Sequence, residues 1–351
     1  MKVLFHLLDA GVGGGQLVAA RIAEKLAERG DTIGLVVPRD GPAVARFAAV
    51  DADVSLLDAG SLHRPLAAGS LARLLRPYDI LYSHTSSPGA IVGAAAARLA
   101  RRRHVVHQHT FPYFSQSPWA AAVQRALFRG VAGGATFVAV ADHVREGLEG
   151  VGIEPGRIVV IPNGVPPAEA HAPRTGGAVR VGMLARLDPG KNLELFVDAA
   201  MRAAPAEPAQ FLIGGVSGPF VEYERRLRAQ AAEAGIEIVT GAAGDAFLRG
   251  LDIVVIPSSY EGSPLVLFEA MALGRAIIAS DIPGIREVLR PGDAGLLVPP
   301  LDRVALTDAI ARLVDDEVLR LELGRRALAV VGEKHRLSTM LERTIAVLDG
   351  A

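Results

Sequence analysis

Short runs of branched apolar residues alternate along this chain with longer stretches whose apolar positions recur every three or four residues. The runs at 3–8, 32–37, 54–57, 80–83, 104–107, 136–140 and 158–161 are apolar at nearly every position. That is the pattern of parallel strands buried on both faces. Helical spacing occupies most of the gaps, as at 16–29 and 88–101. The alternation breaks at 162–180, where Pro162, Pro166, Pro167 and Pro173 mingle with Gly164, Gly176 and Gly177. Such a composition supports no packed element and reads as a link between domains. Beyond it the alternation restarts. Strands are predicted at 179–184, 210–213, 236–239, 251–256, 276–279 and 295–298, and helices at 192–203, 220–234, 264–273, 302–314, 317–333 and 338–348. The expectation is an α/β protein of two tandem Rossmann-like domains. Ligands of such sheets bind outside the carboxyl ends of the strands, so chemistry is sought just after each strand.

Composition narrows the function. The 351 residues suffice for two domains of ~150 residues each. The absence of cysteine excludes a disulfide framework, a thiolate metal site and a cysteine nucleophile. With 37 basic against 38 acidic side chains there is no global field for a polyanion, so nucleic acid is not an expected partner. No apolar stretch reaches the ~18 residues of a spanning helix. The N-terminus reads as a first strand entering a glycine turn rather than as a targeting segment. The expected setting is cytoplasmic, with a peripheral seat on the inner membrane face as the one membrane contact considered.

Several groups stand where chemistry is expected. Gly11, Gly13, Gly14 and Gly15 follow the first strand and open the first helix, where a backbone can approach a ligand or simply turn tightly. A dinucleotide fingerprint is broken there by Gln16 and Val18. His104, His107 and His109 end the fifth strand; His107 and His109 share a face, and His109 projects at the carboxyl edge. They are core or surface hydrogen-bonding groups, ligand contacts, or a weak metal pair. Arg98, Arg101, Arg102 and Arg103 end a helix and complement its dipole. Asp51 and Asp53 form a D-x-D pattern, but they precede a strand instead of following one.

The second domain carries the sharper signal. Arg186 and Lys191 flank a Pro189–Gly190 turn after its first strand, with Asn192 placed to cap the next helix. A guanidinium and an ammonium beside a helix start suit a diphosphate. In PSSYEGSPLVLFEAMALG, Glu261 precedes a helix that Ser263 is placed to cap, with Pro264 at its first position. The amides of Gly262, Ser263 and Leu265 are then available to an anion or a sugar hydroxyl. Glu269 interrupts the apolar run LVLFEAMAL, a costly place for a carboxylate without donors such as vicinal ribose hydroxyls.

These residues resemble those of the retaining glycosyltransferases of family 4. EGSPLVLFE matches that family's E-x7-E motif, and GMLARLDPGKN resembles its segment carrying an arginine and a lysine, here Arg186 and Lys191. Residues 138–142 with IPNGV at 161–165 resemble the segments before the interdomain link. The resemblance spans nearly the whole chain and is most specific over 138–300. The chain departs from the family pattern on the acceptor side, with Gln16 for a glutamate, Thr110 for an aspartate, and Ala139 and Ala141 where serine is common.

The resemblance implies a GT-B fold: an N-terminal acceptor domain 1–165, a linker 166–178, a nucleotide-sugar domain 179–337, and a last helix, 338–351, packed back on the first domain. It implies transfer of a sugar from a nucleoside-diphosphate donor, UDP favoured over GDP, to an acceptor hydroxyl with retention. The competing readings are a nucleotide-sugar 2-epimerase and a nucleotide-sugar-binding protein without turnover. His109, Arg186, Lys191 and Glu261 would be catalytic. Gly14, Gly15, Gly241, Gly262, Ser263, Pro264, Leu265 and Glu269 would join the last three in binding the donor, Glu269 through the ribose and 240–243 around the base. No cofactor and no metal are expected. The acceptor is a small molecule, a lipid-linked group or a glycan.

Overall fold

The computed structural model describes all residues except 12, 58–66, 86, 113, 115–116, 168–175, 242–243 and 351. Residues 168–175 of the expected linker and 242–243 of the expected base site therefore lie outside the described residues. The chain divides into two compact units, Met1–Asn163 with the stretch from Ser338 onward, and Gly164–Leu337.

The first unit is built on a seven-stranded parallel sheet of order β3-β2-β1-β4-β5-β6-β7. Its strands are β1 (Lys2–Leu7), β2 (Thr32–Val37), β3 (Asp53–Leu56), β4 (Ile80–His84), β5 (Arg103–Gln108), β6 (Thr136–Ala139) and β7 (Ile158–Val160). Helices α1 (Gly14–Glu28), α2 (Pro42–Ala48), α3 (Ala67–Leu75), α4 (Ser87–Ala100), α5 (Pro118–Leu127) and α6 (Asp142–Gly150) intervene. The central strands are buried at almost every residue, and His6, Ser83, His84, His104, His107 and Gln108 are buried among their apolar side chains. α4 is rich in alanine and glycine, 8 of its 14 residues, and it lies close on the sheet: a Cβ at Gly93 would stand 2.9 Å from His104 Nε2 and 3.1 Å from Ser83 Oγ. The arginine run serves carbonyls rather than anions. Arg98 donates to Gly130 O, Arg102 to Arg76 O just past α3, and Arg103 to Val347 O and Leu348 O of the closing helix. Arg29 pairs with Asp349 at 2.7 Å, fixing the same end of that helix.

The second unit repeats the design with a six-stranded parallel sheet of order β10-β9-β8-β11-β12-β13. The strands are β8 (Val179–Arg186), β9 (Ala209–Val216), β10 (Glu237–Thr240), β11 (Ile253–Ile256), β12 (Ala276–Ser280) and β13 (Leu296–Val298). Its helices are α7 (Leu193–Arg202), α8 (Val221–Glu233), α9 (Gly244–Arg249), α10 (Leu265–Ala272), α11 (Pro283–Leu289), α12 (Arg303–Asp315) and α13 (Glu317–Lys334); α14 (Leu337–Asp349) closes the chain. Phe196, Phe268 and Leu187 are among its fully buried residues, and burying a side chain of that size contributes ~2–3 kcal/mol. No helix among the described residues is long and apolar enough to cross a membrane.

In each sheet the strand order reverses once, between β1 and β4 and between β8 and β11. Loops leaving adjacent strands at such a point diverge to opposite faces and open a crevice. The glycine turn follows β1 and His84 ends β4; Arg186 ends β8 and Glu261 follows β11.

Candidate functional site

At the reversal point of the second unit, two loops are tied together. Asp188 opens a tight turn over Pro189–Lys191 and accepts the Gly190 N–H at 2.9 Å. Its other oxygen takes the Arg186 guanidinium at 2.7 Å. Asn192 stands at the N-cap of α7 in the left-handed region, φ 52°, yet its side chain makes no capping bond. It reaches across instead, donating from Nδ2 to Pro257 O at 2.7 Å and Ser259 Oγ at 2.9 Å. The expected capping role is thus corrected: a side-chain amide can bridge to the neighbouring loop, whereas that helix start has a carboxylate of its own in the first turn, Glu194.

Lys191 lies beside Glu261. Its Nζ is 2.6 Å from Glu261 Oε1, which also accepts from Ser258 Oγ at 2.7 Å. The glutamate side chain is only 10% exposed, so the lysine and serine hold a carboxylate that water scarcely reaches. Gly262, Pro264 and Leu265 are buried and Ser263 is half-buried. α10 begins at Leu265, with Pro264 as its N-cap at ψ 119° and no side-chain cap. Ser263 therefore lies one residue outside the cap, because proline here is still extended and the residue before a proline avoids the helical region. Glu269 sits half-buried in the body of α10, between buried Phe268 and Ala270. Gly241 follows edge strand β10 with φ +76°, a conformation that suits glycine.

At the reversal point of the first unit, Gly13 is the extended N-cap of α1, and Gly14 and Gly15 are its first residues. A Cβ at Gly15 would stand 3.1 Å from His109 Cδ2, so the missing side chain lets the imidazole lie against the turn. His109 is half-buried and its Nε2 is 2.9 Å from His84 Nδ1. His109 also stacks on His107 at 4.5 Å and 9°. His107 Nδ1 is 2.6 Å from the Tyr82 hydroxyl, and His84 stacks on His107 at 4.8 Å. On the opposite sheet face, Ser83 Oγ joins His6 and His104. Burial holds His84 and His107 well below the ordinary histidine range and brings His109 to about 4 and His104 to about 3. All four are neutral imidazoles at physiological pH.

His84, His107 and His109 each offer a ring nitrogen within 4.8 Å of the others, the one such metal-competent group among the described residues. A shared ion must lie near the plane of every ligand ring, and near-parallel rings 4.5 and 4.8 Å apart have no such point unless they rotate. Asp51, by contrast, sits in a left-handed turn ahead of β3, an edge strand, and Asp53 accepts from Tyr78 at 3.4 Å. Sequence reasoning missed Asp188, Ser258, His84 and Tyr82. The last two become visible only from the β4–β5 register, which pairs Leu81 with His104 and so brings His84 beside His107.

Residues 178–316 match the family model described as glycosyl transferases group 1, and residues 12–169 match glycosyltransferase family 4. A D-inositol 3-phosphate glycosyltransferase of Acidothermus cellulolyticus is 30% identical over 368 residues, covering 90% of this chain and 81% of that protein. A phosphatidyl-myo-inositol mannosyltransferase of Mycobacterium leprae is 35% identical over 197 residues, covering 52% of this chain and 50% of that one. The fold is that of Anabaena HepE, solved with UDP and glucose, at TM-score 0.86, 21% identity and full coverage of both chains. Sucrose-phosphate synthase of Thermosynechococcus elongatus gives 0.81 at 17% identity, covering 99% of this chain and 98% of that one. With two parallel Rossmann-like sheets and these matches along its length, the chain belongs to the family 4 glycosyltransferases, transferases of the GT-B fold.

Proposed function

We propose that this enzyme is a retaining glycosyltransferase that moves a sugar from a nucleoside-diphosphate donor, UDP-linked by preference, to an acceptor hydroxyl without a metal. The observation that carries the reading is the Lys191–Glu261–Ser258 cluster beside the uncapped start of α10, at the reversal point of the second sheet. Arg186 and Lys191 take the diphosphate, the segment 262–265 takes phosphate and sugar, Glu261 takes the transferred sugar and Glu269 the ribose. By the resemblance, Gly14 and Gly15 are assigned to donor binding, Gly241 to the base and His109 to the reacting sugar. Arg186 exchanges Asp188 for phosphate at little cost, since an exposed ion pair is worth ~0–1 kcal/mol.

In the reaction the bond from the anomeric carbon to the phosphate oxygen breaks and the acceptor oxygen bonds to the same face of the sugar. The acceptor proton passes to the departing diphosphate. Arg186 and Lys191 offset the negative charge that develops on it, the kind of term that dominates many enzymatic rate enhancements. Preference for UDP is supported by the neighbour solved with UDP and glucose. A polyol or inositol-type acceptor is supported by the named activities of two relatives. A lipid-borne acceptor is supported further by α5, where Trp119, Val123 and Leu127 lie a turn apart on one face and are 77%, 39% and 47% exposed.

The test is to supply UDP- and GDP-sugars with inositol, inositol phosphates and phosphatidylinositol vesicles. The readouts are nucleoside-diphosphate release and the anomeric configuration of the product. A glycoside of retained configuration supports the reading. An epimerised donor without a glycoside, or an inverted product, overturns it.

A further inference from the structure

His84 ends β4, the strand next to the reversal point, and of the residues given a role above it is hydrogen-bonded to His109. We propose that His84 is a positioning residue for His109, donating from Nδ1 to His109 Nε2 and so fixing the His109 proton on Nδ1.

The argument is one of counting protons. The two nitrogens are 2.9 Å apart and both rings are neutral, so one nitrogen donates and the other accepts. His84 Nε2 is buried and has no hydrogen-bond partner among the described residues. If His109 were the donor, the one proton of His84 would sit on that Nε2, as a buried N–H without an acceptor. Orphaned buried donors are rarer than under-satisfied acceptors. With the roles reversed, His84 leaves only a lone pair unmatched, and its proton makes the hydrogen bond. His109 then has its Nε2 lone pair occupied and its proton on Nδ1, a nitrogen that takes no hydrogen bond among the described residues. The ring is held on three sides, by His107 against its face, by Gly15 at its edge and by His84 at Nε2.

This inference rests on the proposed role of His109 at the reacting sugar and sharpens it. A His109 so held is a hydrogen-bond donor to a sugar or acceptor oxygen. It has no free lone pair with which to take the acceptor proton, so it is not the general base.

The experiment uses the full chain with 15N-labelled histidine, and His109→Gln identifies the His109 resonances. At neutral pH the expected pattern is a protonated-type Nδ1 and an unprotonated-type Nε2 for His109. His84→Phe keeps a ring for stacking but loses the donor, and His84→Asn restores an N–H near the Nδ1 position. His84→Phe is expected to mix the His109 tautomers and lower kcat on the order of 10- to 100-fold, with donor KM unchanged. His84→Asn is expected to recover both signals. A wild-type His109 protonated on Nε2 overturns the proposal, as does a His84→Phe protein with unchanged tautomer and kcat. The tautomer is read without turnover, so a protein that shows it but transfers no sugar would overturn the proposed role of His109 at the reacting sugar and leave the His84–His109 hydrogen bond standing.

Discussion

Mild acid is expected to destabilise the first unit, and the histidines on its sheet set the size of the effect. His104 and His109 are held at about 3 and about 4 against 6.5 for an exposed imidazole, because burial penalises the charged form. A base whose folded pKa is depressed binds fewer protons folded than unfolded. Its stabilisation is therefore complete above 6.5 and declines as pH falls below that value. From about pH 7.5 to about pH 5, each of the two loses ~2 kcal/mol, or ~4 kcal/mol together. His84 and His107 act in the same direction. That is a large part of the ~5–15 kcal/mol by which domains are usually stable. Asp281 beside Arg286 and Asp349 beside Arg29 are held below the ordinary carboxylate range and stay ionised throughout this pH range. Urea unfolding followed by circular dichroism across this range measures the slope. His104→Gln, which keeps a donor toward Ser83 but does not titrate, should remove ~2 kcal/mol of the pH dependence. Stability that is flat between these limits, or a slope unaltered in His104→Gln, would refute the reasoning.

Further outcomes are expected at the other sites. Lys191→Met should weaken UDP binding on the order of 10- to 100-fold by calorimetry, the worth of one charged hydrogen bond, and should cost ~1–3 kcal/mol of stability because the scarcely exposed Glu261 loses its cation; unaltered affinity would remove Lys191 from the donor site. Transfer activity should survive EDTA, and a complete loss restored by magnesium or manganese would return attention to Asp51 and Asp53. Co-sedimentation with anionic phospholipid vesicles should fall on Trp119→Ala, and equal pelleting of both proteins would detach α5 from any lipid role.

Much of the fold was legible because most strands are predominantly apolar runs and helical spacing fills most of the gaps between them. Thr32–Val37 is a strand over the predicted residues, and β11 falls inside its predicted run. The candidate residues at Arg186, Lys191, Glu261 and Glu269 were legible because charge after a buried strand, or inside an apolar helix, needs a reason. What charge alone does not reveal is who holds it. Asp188 occupies Arg186 and Glu261 occupies Lys191, pairings that depend on a D-P-G turn and on two loops meeting at one reversal point. The cap at Ser263 was misplaced by one residue because sequence does not say whether a proline is the first helical residue or the last extended one. The histidine cluster was half seen. His107 and His109 are two apart on one strand, but His84 joins them only through a parallel register that no local pattern encodes.

The central claim is that the second unit holds a nucleoside diphosphate with Glu269 on its ribose. Thermal unfolding of the full chain with UDP, GDP, ADP and dTDP, beside Glu269→Ala, tests it most directly. A ligand at about 100 times its Kd adds ~2.7 kcal/mol, a shift easily resolved. The account predicts stabilisation by one diphosphate, UDP first, that disappears in a Glu269→Ala protein unfolding at its ordinary temperature without ligand. Equal stabilisation of the folded variant, or none of the wild-type chain by any of the four, would contradict it.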